Sequence, residues 1–361
     1  MAYSESLAIT TGNSGSKGLI GPATDSFFVF GLSGIVFILF LLFGESLKEG
    51  DWWYTSWLLA FLINSPHFLI SYLLFYRLHK GLLFKQLPFF SVGIAVPLVL
   101  LSLFLVLGFS QRTDLLVVPL FVMFFLVGWH YIKQCFGCFI ILNGMNGVKL
   151  SLVEQSFLKY SLFLLWFCSF FALFSNLEVE SQFWNYDYVV PAIPRPVLSI
   201  AEFLGYLSLG LVSGWLLYRR ASGVKDTFSA VLALISAYVW LLPLFRLPGF
   251  ALFIPLFHSL QYMLFSHVLV VNEEKARDAG SGYLKPVVLF WWGPAFILGA
   301  LCFHFVPDIL DKSFSEISEA FGGLFFLIAF VLFINIHHYL IDSVMWKGKN
   351  TIVRERLRPI S

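Results

Sequence analysis

Charge is scarce in this chain. Asp, Glu, Lys and Arg supply 12% of its 361 residues, half of the roughly 25% that clothes a water-soluble globule. Cysteine is scarce too. Cys135, Cys138, Cys168 and Cys302 all stand in apolar surroundings and imply no disulfide framework. Cys135-Phe-Gly-Cys138 has the spacing of a redox or metal clip, but without a second pair it reads as small apolar filler. A net charge of +2, with no Lys/Arg-rich run before the tail, excludes nucleic acid as a partner. The chain also lacks a phosphate loop, a nucleophile elbow and a dinucleotide fingerprint. What abounds is apolar surface: 59% hydrophobic residues with 43 Phe and 11 Trp, and a mean hydropathy of +0.83. A soluble enzyme, a secreted disulfide scaffold, a coiled coil and a disordered regulator are excluded. The solvent is lipid.

A helix needs about 20 apolar residues to cross the hydrocarbon core. Runs of that kind predict ten spans, near 27–44, 56–76, 87–109, 115–132, 156–175, 197–218, 227–245, 249–271, 286–306 and 321–341, the fourth continuing past Lys133 towards Asn143. Met1 to Thr24 is Ser/Gly-rich with one basic residue, Lys17, and lacks the basic start and cleavage site of a secretory signal. The first apolar run is therefore expected to be a retained span. With a cytoplasmic amino terminus, 18 of the 23 Lys and Arg fall inside and 5 outside, as the positive-inside rule requires. The expected fold is an all-α polytopic helical bundle of about ten spans with both termini cytoplasmic. A polar segment (1–26) precedes one transmembrane domain (27–345), and a basic tail (346–361), suited to anionic lipid, follows it. The plan fits a multi-pass protein of a bacterial inner or plasma membrane. Tyr- and Trp-rich outer stretches at 45–54 and 176–196 read as interfacial anchors. Glu202, alone near the outer face, reads as snorkelling.

Polar residues inside spans are costly and turn inward. The second span carries Asn64, His67 and Ser71; the fourth His130, Lys133 and Gln134; the eighth His258, Gln261 and Tyr262; the tenth Asn335, His338 and Asp342. Each set has helical i, i+3, i+4 or i+7 spacing and forms one narrow stripe. All four spans are even-numbered, so they run in parallel and their stripes can converge. Imidazole is the commonest ligand for iron, zinc and copper, and a carboxylate suits iron or manganese. His67, His130, His258 and His338, with Asp342 as ligand or orienting carboxylate and His337 as ligand or neighbour, make a candidate metal set. Asn64, Gln134, Gln261 and Asn335 are candidate partners for the second ring nitrogens. Lys133 and Tyr262 are candidate proton donors. Pro66 is expected to kink the second span towards the centre. His267 faces away from His258, while His79, in a basic loop, and His304 read as bystanders. Counted from the outer helix ends, His258 and His338 differ in depth by roughly 12 Å, which favours a path over a single nest.

Asn64-Ser-Pro-His67 and Phe257-His-Ser-Leu-Gln-Tyr262 resemble the Pro-His and His-Ser-Leu-x-His segments of the bacterial membrane β-carotene dioxygenases related to the bacteriorhodopsin-associated protein. That resemblance implies a polytopic enzyme with iron held by four histidines, His67 and His258 among them. Tyr262 stands where the family has a second His. The His-x-x-His-His boxes of membrane desaturases are missing. Two readings follow. One is a non-haem metal (iron) oxygenase taking a hydrophobic, lipid-like or isoprenoid substrate from the bilayer, with another divalent metal as an alternative cofactor. The other is a proton- or ion-coupled transporter or channel using the same histidines, although no internal repeat supports it. The oligomeric state is not legible.

Overall fold

A computed structural model of the protein describes residues 18–47, 55, 58–175, 180–277 and 288–357. Lys17, most of the outer stretch 45–54, residues 176–179, Lys285 and Arg358 lie outside those residues.

In chain order the helices are α1 (Pro22–Gly44), α2 (Ser65–His79), α3 (Leu87–Ser110), α4 (Thr113–Met145) and α5 (Leu152–Ser175), then α6 (Arg195–Ala221), α7 (Phe228–Phe245), α8 (Gly249–Ala276), α9 (Leu289–Ser313), α10 (Phe325–Met345) and the short α11 (Thr351–Arg356). Among the described residues, α1 and α3 to α10 are the nine helices long and apolar enough to cross a membrane. The helix α2, the second span of the sequence reading, packs inside the bundle against α8, α9 and α10. One antiparallel hairpin, β1 (Glu180–Phe183) and β2 (Tyr186–Val189), interrupts the helical order. The protein is an all-α polytopic bundle.

The pattern of burial is inside out. Leu42, Val99, Phe109, Phe203 and Leu217 face outward with more than half of their surface uncovered, whereas His67, Ser71, Gln261 and His338 are fully enclosed. In lipid an exposed Leu costs nothing and an exposed imidazole is expensive, so the two residue classes exchange the places they take in water.

Proline shapes the helices that frame the centre. The π turns Ala60–Asn64, Ser91–Ala95, Val288–Trp292 and Leu301–Phe305 each end two residues before a proline, at Pro66, Pro97, Pro294 and Pro307. Proline donates no hydrogen bond and clashes with the carbonyl four residues back, and widening the turn relieves both defects. The kink expected at Pro66 is such a turn. Beside it, α9 presents Gly299 to α2: a Cβ there would stand 3.2 Å from the carbonyl carbon of Ser65 and 3.3 Å from the nitrogen of Pro66. Gly299→Leu is therefore expected to push α2 outward, costing about 1–3 kcal/mol as overpacking does. A lowered thermal midpoint of the purified protein checks this; an unchanged midpoint overturns it.

Several sequence expectations need correcting here. The tenth span begins at Phe325, not 321, because Gly322 and Gly323 take left-handed φ values of 75° and 80° and turn the chain before the helix starts. Tyr186 and Tyr188 are not lipid anchors: both are buried, and the Tyr186 hydroxyl donates to the Thr113 carbonyl at 2.7 Å. Burial raises the pKa of the Tyr186 hydroxyl. Glu202 is not alone but pairs with Arg246 at 3.1 Å. His79 is not in a loop. It closes α2, buried, with its ring nitrogens at the Phe75 carbonyl (3.0 Å) and the Asn350 amide (2.8 Å). The basic tail, expected as an anchor for anionic lipid, also packs on the bundle as far as residue 357, with Val353 and Leu357 buried and Arg356 paired with Glu273.

Candidate metal centre

The four even-numbered helices α2, α4, α8 and α10 bring one histidine each to a common point. Their rings close a circuit in the order His67, His258, His130, His338. Consecutive ring centres are 4.9, 4.7, 4.9 and 4.6 Å apart, and across the circuit His258 and His338 are 6.4 Å apart. The midpoint of that diagonal stands about 3.2 Å from both ring centres, which equals a metal–nitrogen bond of about 2.1 Å plus about 1.1 Å from nitrogen to ring centre. His130 Nε2 lies 3.1 Å from His258 Nε2, the separation of two neighbouring nitrogens bound to one ion at roughly a right angle. All four side chains are buried.

Two trios have ligand atoms mutually within 4.8 Å: His67, His258 and His338; and His130, His338 and Asp342. Asp342 Oδ2 is 3.5 Å from His338 Nε2 and 3.9 Å from His130 Nε2. His338 belongs to both trios, and one ring nitrogen takes one ion, so the arrangement suits a single metal.

Hydrogen bonds fix the tautomers of two rings. The one proton of the Ser71 hydroxyl goes to Asp342 Oδ1 at 3.0 Å, so the Ser71 oxygen accepts from His338 Nδ1–H at 3.1 Å. The Ser259 hydroxyl donates to Asn64 Oδ1 at 2.8 Å and faces His67 Nδ1 at 3.2 Å, with the Asn64 carbonyl at 3.3 Å. Both rings thus carry hydrogen on Nδ1 and a lone pair on Nε2. Both Nε2 atoms, with His258 Nδ1, are buried without a hydrogen-bond partner. Tyr262, on α8, completes one wall: its ring centre is 4.7 Å from that of His67 and its hydroxyl donates to Asp342 Oδ1 at 3.3 Å.

The depth mismatch expected from sequence disappears. The segment Pro248–Phe253, which forms the first turns of α8, is 3₁₀ and rises about 2.0 Å per residue instead of 1.5 Å. Ten residues from Pro248 and thirteen from Phe325 therefore descend by nearly the same amount, about 18–20 Å.

Other candidates fall elsewhere. His337 faces away from the circuit: its Nδ1 meets the Tyr72 hydroxyl at 2.7 Å and its Nε2 the Val92 carbonyl at 2.7 Å, so both nitrogens are engaged. The four amides do not orient imidazoles with their side chains. Gln134 donates to the His258 carbonyl and to Gln261, Gln261 donates to the Val29 carbonyl, and Asn335 accepts from Tyr339. Asn64 acts through Ser259 and its own carbonyl. Asn335 bonds only within α10, to Val331 and Tyr339; the other three amides tie helices together, because their reach carries them past the histidine on their own face to a neighbouring helix. Lys133 rests its Nζ 4.1 Å from the centre of the Trp129 ring. His267 stacks on Trp292. Ser71 was visible in its stripe without an assigned role, and Ser259, beside His258 in sequence, carried no signal of its own.

A cavity lies on either side of the histidine circuit. One, of about 300 Å³, has His130, Tyr262, Tyr339 and Asp342 at its floor. The other, of about 430 Å³, reaches His258, Asn335 and Tyr339 and is lined also by Gln182, Phe183 and Trp184 of the hairpin. Set against models of known families, against curated proteins and against solved structures, the chain gives no match.

Proposed function

We propose that the histidine circuit holds one iron ion and that the protein is an intramembrane non-haem oxygenase acting on a lipid or isoprenoid. One observation carries this reading: two buried imidazoles whose tautomers are fixed from behind present unpartnered Nε2 lone pairs towards the same point. A buried polar atom without a partner costs about 1–3 kcal/mol, and a metal ion removes that cost. Histidines backed by a hydroxyl or carbonyl on the second nitrogen are the usual form of a metal ligand. The resemblance to the β-carotene dioxygenases agrees with it, since His67 and His258 are neighbours in the circuit; Tyr262 stands where the family has one further His, and here His130 and His338 make up the set of four.

Iron, when bound, supplies dioxygen activation. The chain supplies the rest. His67, His130, His258 and His338 are the ligands, and Asp342 either binds or balances charge through Oδ2. Tyr262, hydrogen-bonded to Asp342, holds a proton at its hydroxyl beside the centre. Metal analysis of anaerobically purified protein tests the proposal. About one iron per chain supports it, and a stoichiometry near zero overturns it.

The second reading, ion or proton transport, draws on the cavities that flank the circuit from both sides. It requires pH- or ion-dependent flux across liposomes containing the purified chain, which the oxygenase does not.

A further inference from the structure

The cavity on the hairpin side of the histidine circuit, about 430 Å³, has no Asp, Glu, Lys or Arg among the described residues of its lining. On α4 the lining runs from Met123 to Tyr131 and on α10 from Val331 to Tyr339. Both stretches are eight residue steps long, so the cavity extends about 12 Å along the helices. Its walls are hydrocarbon and aromatic, Phe124, Phe183 and Trp184 among them. One hydroxyl in this lining has nothing to bond. Tyr131 is 7% exposed, and its hydroxyl makes no hydrogen bond among the described residues. That oxygen is not one of the unpartnered polar atoms sealed off from all space, so it faces the cavity its residue lines. The Tyr131 ring stands 4.8 Å from the His258 ring, centre to centre. A second donor lines the same cavity: Asn64 Oδ1 accepts from Ser259 and its main-chain carbonyl faces His67, while Nδ2 has no partner among the described residues.

We infer that this cavity binds an uncharged single-chain lipid bearing a hydroxyl or carbonyl oxygen, with that oxygen accepting from the Tyr131 hydroxyl beside the circuit. A buried hydroxyl without a partner is costly, and an acceptor oxygen on a ligand removes the cost. A phenol can donate and an amide N–H can only donate, so the cavity offers donors to a neutral oxygen. It offers no cation to an acid, and an isolated carboxylate is expensive to bury. The volume, at the small end of ligand pockets, leaves room for one chain. That such a molecule is the substrate rests on the oxygenase reading; its binding does not require metal.

The test uses the full chain purified in uncharged maltoside detergent at mildly alkaline pH. Its tryptophan emission, with Trp184 in the cavity wall, is titrated with dodecanol, a dodecanone, dodecane and dodecanoate, each affinity referred to the ligand's concentration in the detergent phase. Dodecanol or the dodecanone is expected to saturate with a Kd about fivefold or more below that of dodecane, the worth of one hydrogen bond. Dodecanoate is expected to bind about tenfold or more weakly than either, because nothing in the cavity balances its charge. Tyr131→Phe should raise the Kd of the oxygen-bearing ligand about fivefold without changing that of dodecane or lowering the thermal midpoint, since the hydroxyl it removes bonds nothing in the protein. Val331→Phe, which fills the cavity from α10, should abolish saturable binding of dodecanol and dodecane alike. Dodecane or dodecanoate binding as tightly as dodecanol and the dodecanone, no saturable binding, or either variant behaving like the unmodified protein overturns the inference. Iron is measured on the same preparations, so the two proposals fail separately. The preference for an oxygen-bearing chain, alongside an iron stoichiometry near zero, retains the binding site and removes the oxygenase. One iron per chain without that preference retains the metal centre and removes the binding site.

Discussion

Replacing His338 with alanine is expected to abolish metal retention, while the same change one residue earlier, at His337, leaves it intact. The two histidines are adjacent in sequence, about 100° apart around α10, and equally buried. Their surroundings differ. His338 shares both ligand trios and keeps Nε2 unpartnered, whereas the nitrogens of His337 are both engaged, by Tyr72 on α2 and by the Val92 carbonyl in α3. Loss of one ligand of four should weaken affinity by about a hundredfold or more, beyond the tenfold to hundredfold seen when only a supporting group is lost. His337→Ala instead removes two structural hydrogen bonds and should lower stability, by about 1–3 kcal/mol, without changing iron content. Iron per chain, with chelator competition for affinity and thermal unfolding for stability, reads both effects. Equal metal loss in the two variants, or none in either, defeats the assignment.

That contrast marks how far the sequence reaches. Length and hydropathy alone placed the helices, because a run of about 20 apolar residues has one economical fate in a bilayer. Helical spacing put each histidine on a polar stripe, and the parity of the spans made the four stripes parallel, so the set His67, His130, His258 and His338 was legible before any coordinates. What the spacing could not supply was anything decided across helices. His337 is one helical step from His338, and only Tyr72 and Val92, far away in sequence, settle where it points. Gln134 and Gln261 lie at i+4 and i+3 from their histidines, yet they bond each other, since a long amide gains more by joining two helices than by folding back on its own. Depth was misjudged for a local reason: a 3₁₀ opening to α8 and a glycine turn before α10 shift where each regular helix starts. The tyrosines of the hairpin look like interfacial anchors by composition, and only the fold shows them buried.

Ser71→Ala is the sharper test of how the centre is held. Ser71 is fully buried and links His338 Nδ1 to Asp342 Oδ1 through a single hydroxyl. Its one proton is committed to the carboxylate, so its oxygen holds the hydrogen of His338 on Nδ1 and leaves Nε2 bare. Removing the hydroxyl frees the ring to exchange tautomers and to rotate, and deprives Asp342 of its shorter hydrogen bond, leaving Tyr262 at 3.3 Å. Loss of such a supporting group costs about tenfold to a hundredfold in metal affinity, with a stability cost of about 1–3 kcal/mol for the buried groups left unpaired. Ser259→Ala should act likewise on His67, more mildly, because the Asn64 carbonyl at 3.3 Å still receives Nδ1–H. The two hydroxyls serve different rings, so each variant alone should keep some iron at saturating metal and release it faster than the unmodified protein. A purely structural role for Ser71 would instead lower the unfolding midpoint while leaving the rate of iron release to a chelator unchanged, and that result would remove the hydroxyl from the account of the metal centre.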